Sequence, residues 1–251
     1  MQDYPKRRKT RPPQKEDFPT FESFSRLKKI SDDLGQDILR SGTGTIVSPQ
    51  GHLLTASHVV PKGSKVLVLF RKKLFEAKVL KRQEDQDALL LQIKPEKTEK
   101  FPYAKVVARD YKLGQPVFFL GYPIPDSLGI KPRFTASHIN SDEGYCTDES
   151  RFTITAAAVD GSSGSAVFTT TNGEVIGIVS ASIFAAGRDA DKFPRDICFC
   201  VKAQSFLNVF AKHLSQGKRS RNQKSDRQET INSAAETSVL ILAFSDKRRN
   251  K

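Results

Sequence analysis

The sequence predicts an all-β protein, either a sandwich or a pair of barrels. Ten short segments are rich in Val, Ile, Phe and Thr, turn-forming residues separate them, and no helical period recurs between them to make βαβ units. The predicted strands are Thr43–Val47, His52–Thr55, Lys65–Phe70, Leu74–Lys81, Ala88–Ile93, Gln115–Leu120, Phe134–Ile139, Phe152–Ala157, Ser165–Phe168 and Glu174–Ser182.

Three turn sequences join these segments. Ser48–Gly51 has Pro49 at the second turn position, where its fixed φ is already suitable, and glycine at the fourth. Asn172 and Gly173 supply the two positive-φ residues of a tight hairpin, and Asp142–Gly144 is a weaker example.

Two amphipathic helices flank the β region, because apolar residues there recur at helical spacing. The first follows a potential N-cap at Thr20, and the second ends at Gly217. The two stripes consist of Phe21, Phe24, Leu27, Ile30 and Leu34, and of Ala203, Phe206, Leu207, Phe210 and Leu214.

Size and composition narrow the class of protein. The chain has 251 residues, of which 37% are apolar and 27% charged, which suits one globular unit or two small subdomains sharing a core. Three cysteines are too few for a disulfide scaffold and favour a reduced compartment. No apolar stretch approaches the roughly 20 residues of a membrane span, and the N-terminus has no signal-peptide core. We therefore expect a soluble, cytoplasmic protein without a membrane partner.

The net charge of +13 is concentrated at the two ends of the chain. Residues 1–40 hold 10 basic against 7 acidic side chains, and residues 212–251 hold 10 against 4. Such arms are typically solvated, although they could also attach to a polyanion. Neither arm interleaves aromatic residues with its cations as a base-stacking surface does, so a nucleic-acid partner is a secondary hypothesis.

Three residues suggest chemistry only when they are taken together. Ser163 lies in the small-residue turn Gly161–Ser165, His58 follows an apolar strand, and Asp87 precedes another. Each has an ordinary structural explanation: a tight loop, a packed histidine and an edge residue. Nucleophilic catalysis by serine, however, requires a base, a carboxylate that orients the base, and backbone N–H donors for an oxyanion. Strand ends at a seam between two barrels can bring these groups together.

Five segments in order resemble a trypsin-like serine protease domain, and their spacing is closest to the bacterial heat-shock (HtrA/DegP-type) branch. The resemblance covers roughly residues 39–214. It implies a chymotrypsin-like fold of two perpendicular six-stranded antiparallel barrels with the site in the cleft between them. The segments are Ser41–Val47, Gly51–Val60, Asp87–Ile93, Gly161–Phe168 and Gly173–Ile178.

Site residues follow from the resemblance position by position. It implies His58 as general base, Asp87 as orienting carboxylate and Ser163 as nucleophile, with the amides of Gly161 and Ser163 as the oxyanion hole. Asp85 competes with Asp87, because strand alternation gives both the same facing. The family pattern, an acid directly before an apolar strand, selects Asp87.

The chain also departs from the heat-shock branch. Ser165 stands where a second glycine is common, and no PDZ domain is expected, because only 37 residues follow Leu214. Ala157 stands six residues before Ser163, where the trypsin branch has its specificity acid. With a wall formed by Ser180, Ala181 and Ser182, this predicts a neutral substrate pocket for small or medium apolar side chains.

The fold and the resemblance together predict five regions. They are a basic disordered arm over 1–19, a short amphipathic helix over 20–38, an N-terminal β-barrel over 39–110, a C-terminal β-barrel with a terminal helix over 111–217, and a basic polar tail over 218–251. Within that tail, the apolar run Ser238–Phe244 is either an aggregation-prone or partner-binding strand or a tail that folds on the domain.

No cofactor and no metal are expected. Cys198 and Cys200 fall on one face of a strand, but a metal site would need two further ligands, and buried packing is the better interpretation. Cys146 has no obvious partner.

The predicted function is a serine endopeptidase acting on a protein or peptide substrate. One alternative is a catalytically silent peptide-binding module on the same fold, and the other is a basic protein that binds nucleic acid through its arms. The sequence assigns neither the natural substrate nor the oligomeric state.

Overall fold

The computed structural model describes residues 22–94, 100–109, 112–156, 159–180, 196–214 and 226–245. It contains two closed six-stranded antiparallel barrels, which confirms the predicted chymotrypsin-like fold. The first barrel comprises β1 (Ile38–Ile46), β2 (His52–Ala56), β3 (Lys65–Phe70), β4 (Lys73–Gln83), β5 (Ala88–Ile93) and β12 (Ser238–Phe244). The second comprises β6 (Pro116–Gly121), β7 (Arg133–Ser141), β8 (Arg151–Thr155), β9 (Ala166–Thr169), β10 (Val175–Val179) and β11 (Ile197–Lys202).

Four α-helices lie outside the barrels in the described residues. The helices are α1 (Glu22–Leu34), α2 (Pro125–Leu128), α3 (Ala203–Phe210) and α4 (Arg227–Thr237). Leu27 and Ile30 of α1 are buried against apolar side chains of β3 and β12. At its end, the Gln36 side chain donates to the carbonyl oxygen of Ser245 at 2.7 Å, which ties this helix to the end of β12.

The first barrel is closed by the last strand of the chain. β12 pairs antiparallel with β1, from Ile38 opposite Phe244 to Thr45 opposite Ser238, and its other edge pairs with β3. All seven β12 residues are buried. The expected polar tail over 218–251 is therefore wrong for residues 227–244, and the N-terminal barrel is not complete within 39–110. The physical reason is that a strand buried on both faces is continuously apolar and shows no alternation.

The two barrels share a core where they meet. Phe206 and Phe210 of α3 are fully buried there, together with Leu54 and Leu90 of the first barrel and Phe168 of the second. Each fully buried side chain of this size contributes about 1.5–3 kcal/mol. The seam that positions the candidate site is thus a packed interior.

One predicted turn is present in the structure, and another is not. The amide of Gly51 donates to the carbonyl oxygen of Ser48 at 3.1 Å, as the turn at Ser48–Gly51 requires. The tight hairpin predicted at Asn172 and Gly173 is wrong, because five residues separate β9 from β10 and only Gly173 has positive φ. The side chain of Asn172 instead accepts a hydrogen bond from Thr169 at 2.6 Å, which closes the longer loop.

Candidate active site

His58 and Asp87 form a hydrogen-bonded pair at one end of the first barrel. After β2 ends, a 3-10 turn over Ser57–Val59 carries His58, whose Nδ1 lies 2.9 Å from Oδ2 and 3.0 Å from Oδ1 of Asp87. The backbone amide of His58 also donates to Oδ1 at 3.0 Å. The carboxylate therefore fixes both the ring and the main chain of the histidine.

Asp87 is buried, and a third donor reaches it from the second barrel. The Ser180 hydroxyl donates to Oδ2 at 2.5 Å. Burial by itself raises the pKa of Asp87, but the hydrogen bonds and charge of His58, with the Ser180 hydroxyl, bring that pKa below its ordinary value. The carboxyl is thus ionised near neutral pH and suited to hold a proton on Nδ1, which leaves Nε2 as an acceptor.

The competition between Asp85 and Asp87 has a structural answer. Asp85 is exposed, whereas Asp87 is buried and contacts His58. The alternation argument does not apply, because residues 84–87 form a turn rather than part of a strand, and Asp87 has a φ of 52°.

Two arginines support the turn that carries His58. Arg82 donates to the Ser57 carbonyl oxygen at 2.9 Å and to the Val60 carbonyl oxygen at 2.7 Å, on either side of the histidine. Arg40 donates to the carbonyl oxygen of His58 itself at 3.0 Å. Sequence reasoning missed both, because an arginine in a strand or at its edge looks like any surface cation.

The turn containing Ser163 leaves two amides without acceptors. Neither the Gly161 amide nor the Ser163 amide has an acceptor among the described residues. These are the two amides expected to bind an oxyanion. Other amides of the turn donate to backbone carbonyl oxygens: that of Ser162 to Val159 at 2.9 Å, that of Gly164 to Val179 at 2.8 Å and that of Ser165 to Ser162 at 3.1 Å.

Gly164 allows this turn to pack closely against the first barrel, because it has no side chain. A Cβ at Gly164 would lie 2.2 Å from Oγ1 of Thr55, 2.3 Å from the carbonyl oxygen of Thr43 and 2.9 Å from the amide of Ala56, and its φ of +83° also favours glycine. The Thr43 amide donates to the Ser163 carbonyl oxygen at 2.9 Å. Ser163 therefore lies against the end of β2 that leads directly into His58.

Thr43 joins three parts of the site. Its hydroxyl donates to the carbonyl oxygen of Gly161 at 2.7 Å and accepts from the amide of Tyr122 at 3.0 Å. The first barrel, the Ser163 turn and the segment after β6 thus share one buried hydroxyl. The sequence motif contained Thr43 but assigned it no role, since its partners are 79 and 118 residues away.

The Ser163 side chain is nearly buried, and the His58 side chain is 24% exposed. The Ser163 hydroxyl has no hydrogen bond to any described residue, so its bond to His58 is not formed in this structure. Such bonds are often long in unliganded enzymes and tighten in the substrate complex. His58 is thus partly accessible to solvent.

Ser180 is the only described member of the predicted substrate-pocket set; Ala157, Ala181 and Ser182 lie outside the described residues. The Ser180 hydroxyl is committed to Asp87 and also accepts from Arg151 at 3.2 Å. These bonds link the second barrel to the carboxylate of Asp87. The neutral pocket stays a prediction.

Ser165, which replaces the common second glycine, is fully buried, and its hydroxyl has no partner among the described residues. The hydroxyl lies 2.7 Å from the position that a Cβ at Gly121 would take. The serine therefore fits only because Gly121 has no side chain, and its hydroxyl contributes no hydrogen bond to the described part of the site.

The cysteines of β11 are packing residues. Cys198 and Cys200 are both fully buried, and burial raises the pKa of Cys200 well above its ordinary value, which keeps the thiol protonated. Within the described part of the chain, no three His, Cys, Asp or Glu side chains are grouped as metal ligands. Nor does any helix there have the length and apolarity to cross a membrane.

Two six-stranded barrels that meet beside a His–Asp pair and a glycine-rich serine turn define the chymotrypsin-like class of proteins. The family model of the trypsin-like peptidase domain matches residues 42–178, more than half of the chain. The chain therefore belongs to the trypsin-like peptidase family, and the resemblance seen in its sequence is confirmed.

Two relatives illustrate how far the similarity of the chain extends. The chain is 24% identical over 225 residues to the serine endoprotease DegS of Haemophilus influenzae, covering 89% of this chain and 64% of the relative. It is 27% identical over 205 residues to the uncharacterized protein y4bJ of Sinorhizobium fredii, covering 80% of this chain and 32% of the relative. The chain thus spans about one third to two thirds of these relatives.

A solved structure shows the same fold. The crystal structure of the serine endoprotease from Yersinia pestis superposes with a TM-score of 0.54 at 24% identity, over 68% of this chain and 56% of that one. This likeness shows that the two proteins share a fold.

Proposed function

We propose that this protein is a serine endopeptidase in which Ser163 is the nucleophile, His58 the general base and Asp87 the orienting carboxylate. The observation that carries the proposal is the buried Asp87, which accepts hydrogen bonds from both the ring and the amide of His58. A packed histidine has no need of this double contact, whereas a general base that must keep one tautomer does.

The reaction begins when Ser163 Oγ bonds to the carbonyl carbon of the substrate. The hydroxyl proton passes to Nε2 of His58, and the carbonyl π electrons move to the oxygen, which the amides of Gly161 and Ser163 would bind. Donors of this kind are each worth roughly 3 kcal/mol of transition-state stabilisation.

In the second half of acylation, the tetrahedral intermediate collapses. The C–N bond breaks, the leaving nitrogen takes the proton from His58, and an ester to Ser163 remains. Water then repeats the sequence: it loses a proton to His58, attacks the ester carbon and releases the carboxylic acid, while the proton returns to Ser163.

We infer further that the specificity pocket takes small or medium apolar side chains. Ala157 supplies no counter-charge, and burying an unpaired ammonium there would be costly. Cleavage profiling with a peptide library tests this inference. A profile dominated by Lys or Arg before the cleaved bond would overturn the pocket assignment and leave the catalytic one intact.

A catalytically silent peptide-binding module is the main alternative. It is disfavoured because the histidine, the carboxylate and the two amides without acceptors are all retained. The nucleic-acid alternative gains no support, since the arm over 1–19 lies outside the described residues and part of the expected C-terminal tail is folded.

Reaction with a fluorophosphonate probe tests the proposal. We expect the wild type to be labelled at one site, located at Ser163 by peptide mass spectrometry, and Ser163→Ala to be unlabelled while its circular dichroism is unchanged. Ser162→Ala is the matched control and should keep its labelling. An unlabelled wild type, or equal labelling of Ser163→Ala, would contradict the proposal.

A further inference from the structure

A basic groove opens between the two barrels. It has a volume of about 890 Å³ and is walled by α1, by the turn from β3 to β4, by the segment from α2 to β7, and by α4. Volumes of this size are typical of sites that bind ligands. The groove is separate from the His58–Asp87 pair, because neither residue lines it.

Five cations and one acid line the groove. The single carboxylate, Glu236, lies 3.5 Å from Arg71, and both side chains are exposed. The remaining cations have no ion-pair partner among the described residues. The cations are Arg26, Arg71, Lys72, Lys131 and Arg133.

Backbone carbonyls hold two of these cations without neutralising them. Arg26 donates to the Lys72 carbonyl oxygen at 2.6 Å, and Arg133 donates to the Leu128 carbonyl oxygen at 2.8 Å. Both guanidinium groups are thus fixed at the groove and keep their full charge. A fixed cation loses less side-chain entropy when an anion binds.

The β3–β4 turn is strained in a way that keeps its cations at the rim. Arg71 and Lys72 have φ values of 46° and 67°, a conformation usual for glycine or asparagine in tight hairpins. Two consecutive long cations are unusual in this conformation, and both of them line the groove.

The floor of the groove is apolar. Its accessible apolar surface belongs to Leu128, which is 44% exposed, and to the partly exposed Ile130 and Pro132, whereas Leu69 and Phe70 beneath them are buried. A simple inorganic anion would leave this apolar surface in water. The groove instead suits an occupant that carries both carboxylates and an apolar side chain.

A peptide fits these properties better than a nucleic acid. Single-stranded nucleic acids bind by stacking their bases on exposed aromatic rings. The groove has two aromatic residues, Phe70 and Tyr122, and each is only 6% exposed. No ring in this groove is therefore available as a stacking platform.

The terminal segments of the chain itself are unsuitable occupants. Residues 1–21 hold six basic against three acidic side chains, and residues 246–251 hold four against one. Both would be repelled by the cations of the groove. A partner molecule of opposite charge complements the groove better than either of these segments.

We propose that this groove binds an extended acidic segment of a partner protein, with an apolar side chain of that segment on the floor. The bound segment lies near the catalytic seam, because Tyr122 lines the groove and its amide is bound to Thr43, which also holds Gly161. The binding is independent of hydrolysis.

Fluorescence anisotropy with the full chain carrying Ser163→Ala tests the proposal. The probe is a fluorescein-labelled peptide of six glutamates that flank one leucine and one phenylalanine. We expect saturable binding that weakens with added salt and falls at least tenfold in Lys131→Glu, an exposed position. The matched control, Lys105→Glu, is exposed outside the groove and should change binding less than twofold.

A second variant guards against misfolding. Arg133→Gln keeps a polar side chain with an amide donor but removes the charge, and at this exposed position it should also weaken binding while the melting temperature is unchanged. Equal loss in Lys105→Glu would reveal only general attraction to a basic protein and would overturn the proposal.

Three other outcomes would also overturn it. They are equal affinity for a peptide of eight glutamates without apolar residues, tighter binding of a single-stranded oligonucleotide of the same charge, and self-association by light scattering that Lys131→Glu abolishes.

Discussion

The two halves of the site differ in how many of their hydrogen bonds are already made. On the first barrel, His58 and Asp87 are hydrogen-bonded to each other. Arg82 donates to the carbonyl oxygen of Ser57, in the turn that carries His58. On the second barrel, the amides of Gly161 and Ser163 have no acceptor among the described residues. In the proposed mechanism, this difference means that the half that handles the proton is assembled in advance, while the second half keeps its donors for the substrate.

The largest expected effect comes from removing groups on both sides at once. Ser163→Ala and His58→Ala should each reduce peptide hydrolysis by about 10⁴ to 10⁶-fold, and the double variant should be hardly worse, because the groups act as a unit. Measurement of kcat for the two single variants and the double variant checks this. Multiplicative losses would indicate that the two halves act separately.

The preformed half is tested next by Asp87→Asn. The amide cannot hold Nδ1 protonated, so we expect kcat to fall by about 10³ to 10⁴-fold with little change in the melting temperature. Asp85→Asn, at an exposed neighbouring position, should be nearly neutral. A larger loss for the Asp85 variant would mean that the carboxylate is misassigned.

The contact between the halves is tested by Gly164→Ala. The new Cβ would overlap backbone and side-chain atoms of Thr43 and Thr55, so we expect destabilisation of about 3 kcal/mol and the loss of most activity. Gly63→Ala is the control, because its φ is also positive but nothing lies within 4 Å of the new Cβ. It should cost only about 1 kcal/mol by urea denaturation.

The preformed half also depends on the strand that closes its barrel. Leu240 of β12 is fully buried, so Leu240→Ala should lower the free energy of unfolding by about 2–5 kcal/mol. Leu113→Ala, at a position that is 71% exposed, should change it by less than about 0.5 kcal/mol. Similar values for both would contradict the role of β12 in the barrel.

The smallest expected effect concerns the contact between His52 of β2 and His213, in the 3-10 turn that follows α3. The Ser48 hydroxyl lies 2.6 Å from Nδ1 of His52, whose Nε2 lies 3.2 Å from Nδ1 of His213. Burial, followed by the charges of His213 and Lys78, lowers the pKa of His52.

Because the folded protein prefers neutral His52, stability from this group is present above about pH 6.5 and is lost as the pH falls below it. We expect His52→Gln to flatten the fall of the melting temperature between pH 7 and pH 5, on the order of 2 °C. A slope unchanged by the substitution would show that other groups control it.

Local signals predicted the strands near the site and the residues of the catalytic motifs. The fold prediction was confirmed because strand composition is a property of short stretches, whereas the roles assigned to the motif residues stay predictions. The same signals failed for β12, because its partners in β1 and β3 are about 170 to 200 residues away and a doubly buried strand has no periodicity. Thr43 and Ser180 also act through contacts that are distant in sequence, at separations of 118 and 93 residues.

The choice between Asp85 and Asp87 is a second case in which a local sequence pattern could not predict the geometry. The alternation argument assumes that Asp85 and Asp87 lie in a strand, but residues 84–87 form a turn. Asp87 also has a positive φ, which the residue types of this segment do not predict. The family pattern selects Asp87, the acid that contacts His58 in the structure, whereas strand alternation could not choose between the two acids.

The central claim is that the first half is preformed and the second awaits its ligand. Amide proton and nitrogen NMR shifts, compared before and after fluorophosphonate labelling, test it most directly. The phosphonyl oxygen stands in for the oxyanion, so we predict large downfield shifts for the Gly161 and Ser163 amides and little change for the His58 amide, which is already bonded to Asp87. A large shift at His58 with none at Gly161 and Ser163 would contradict the account.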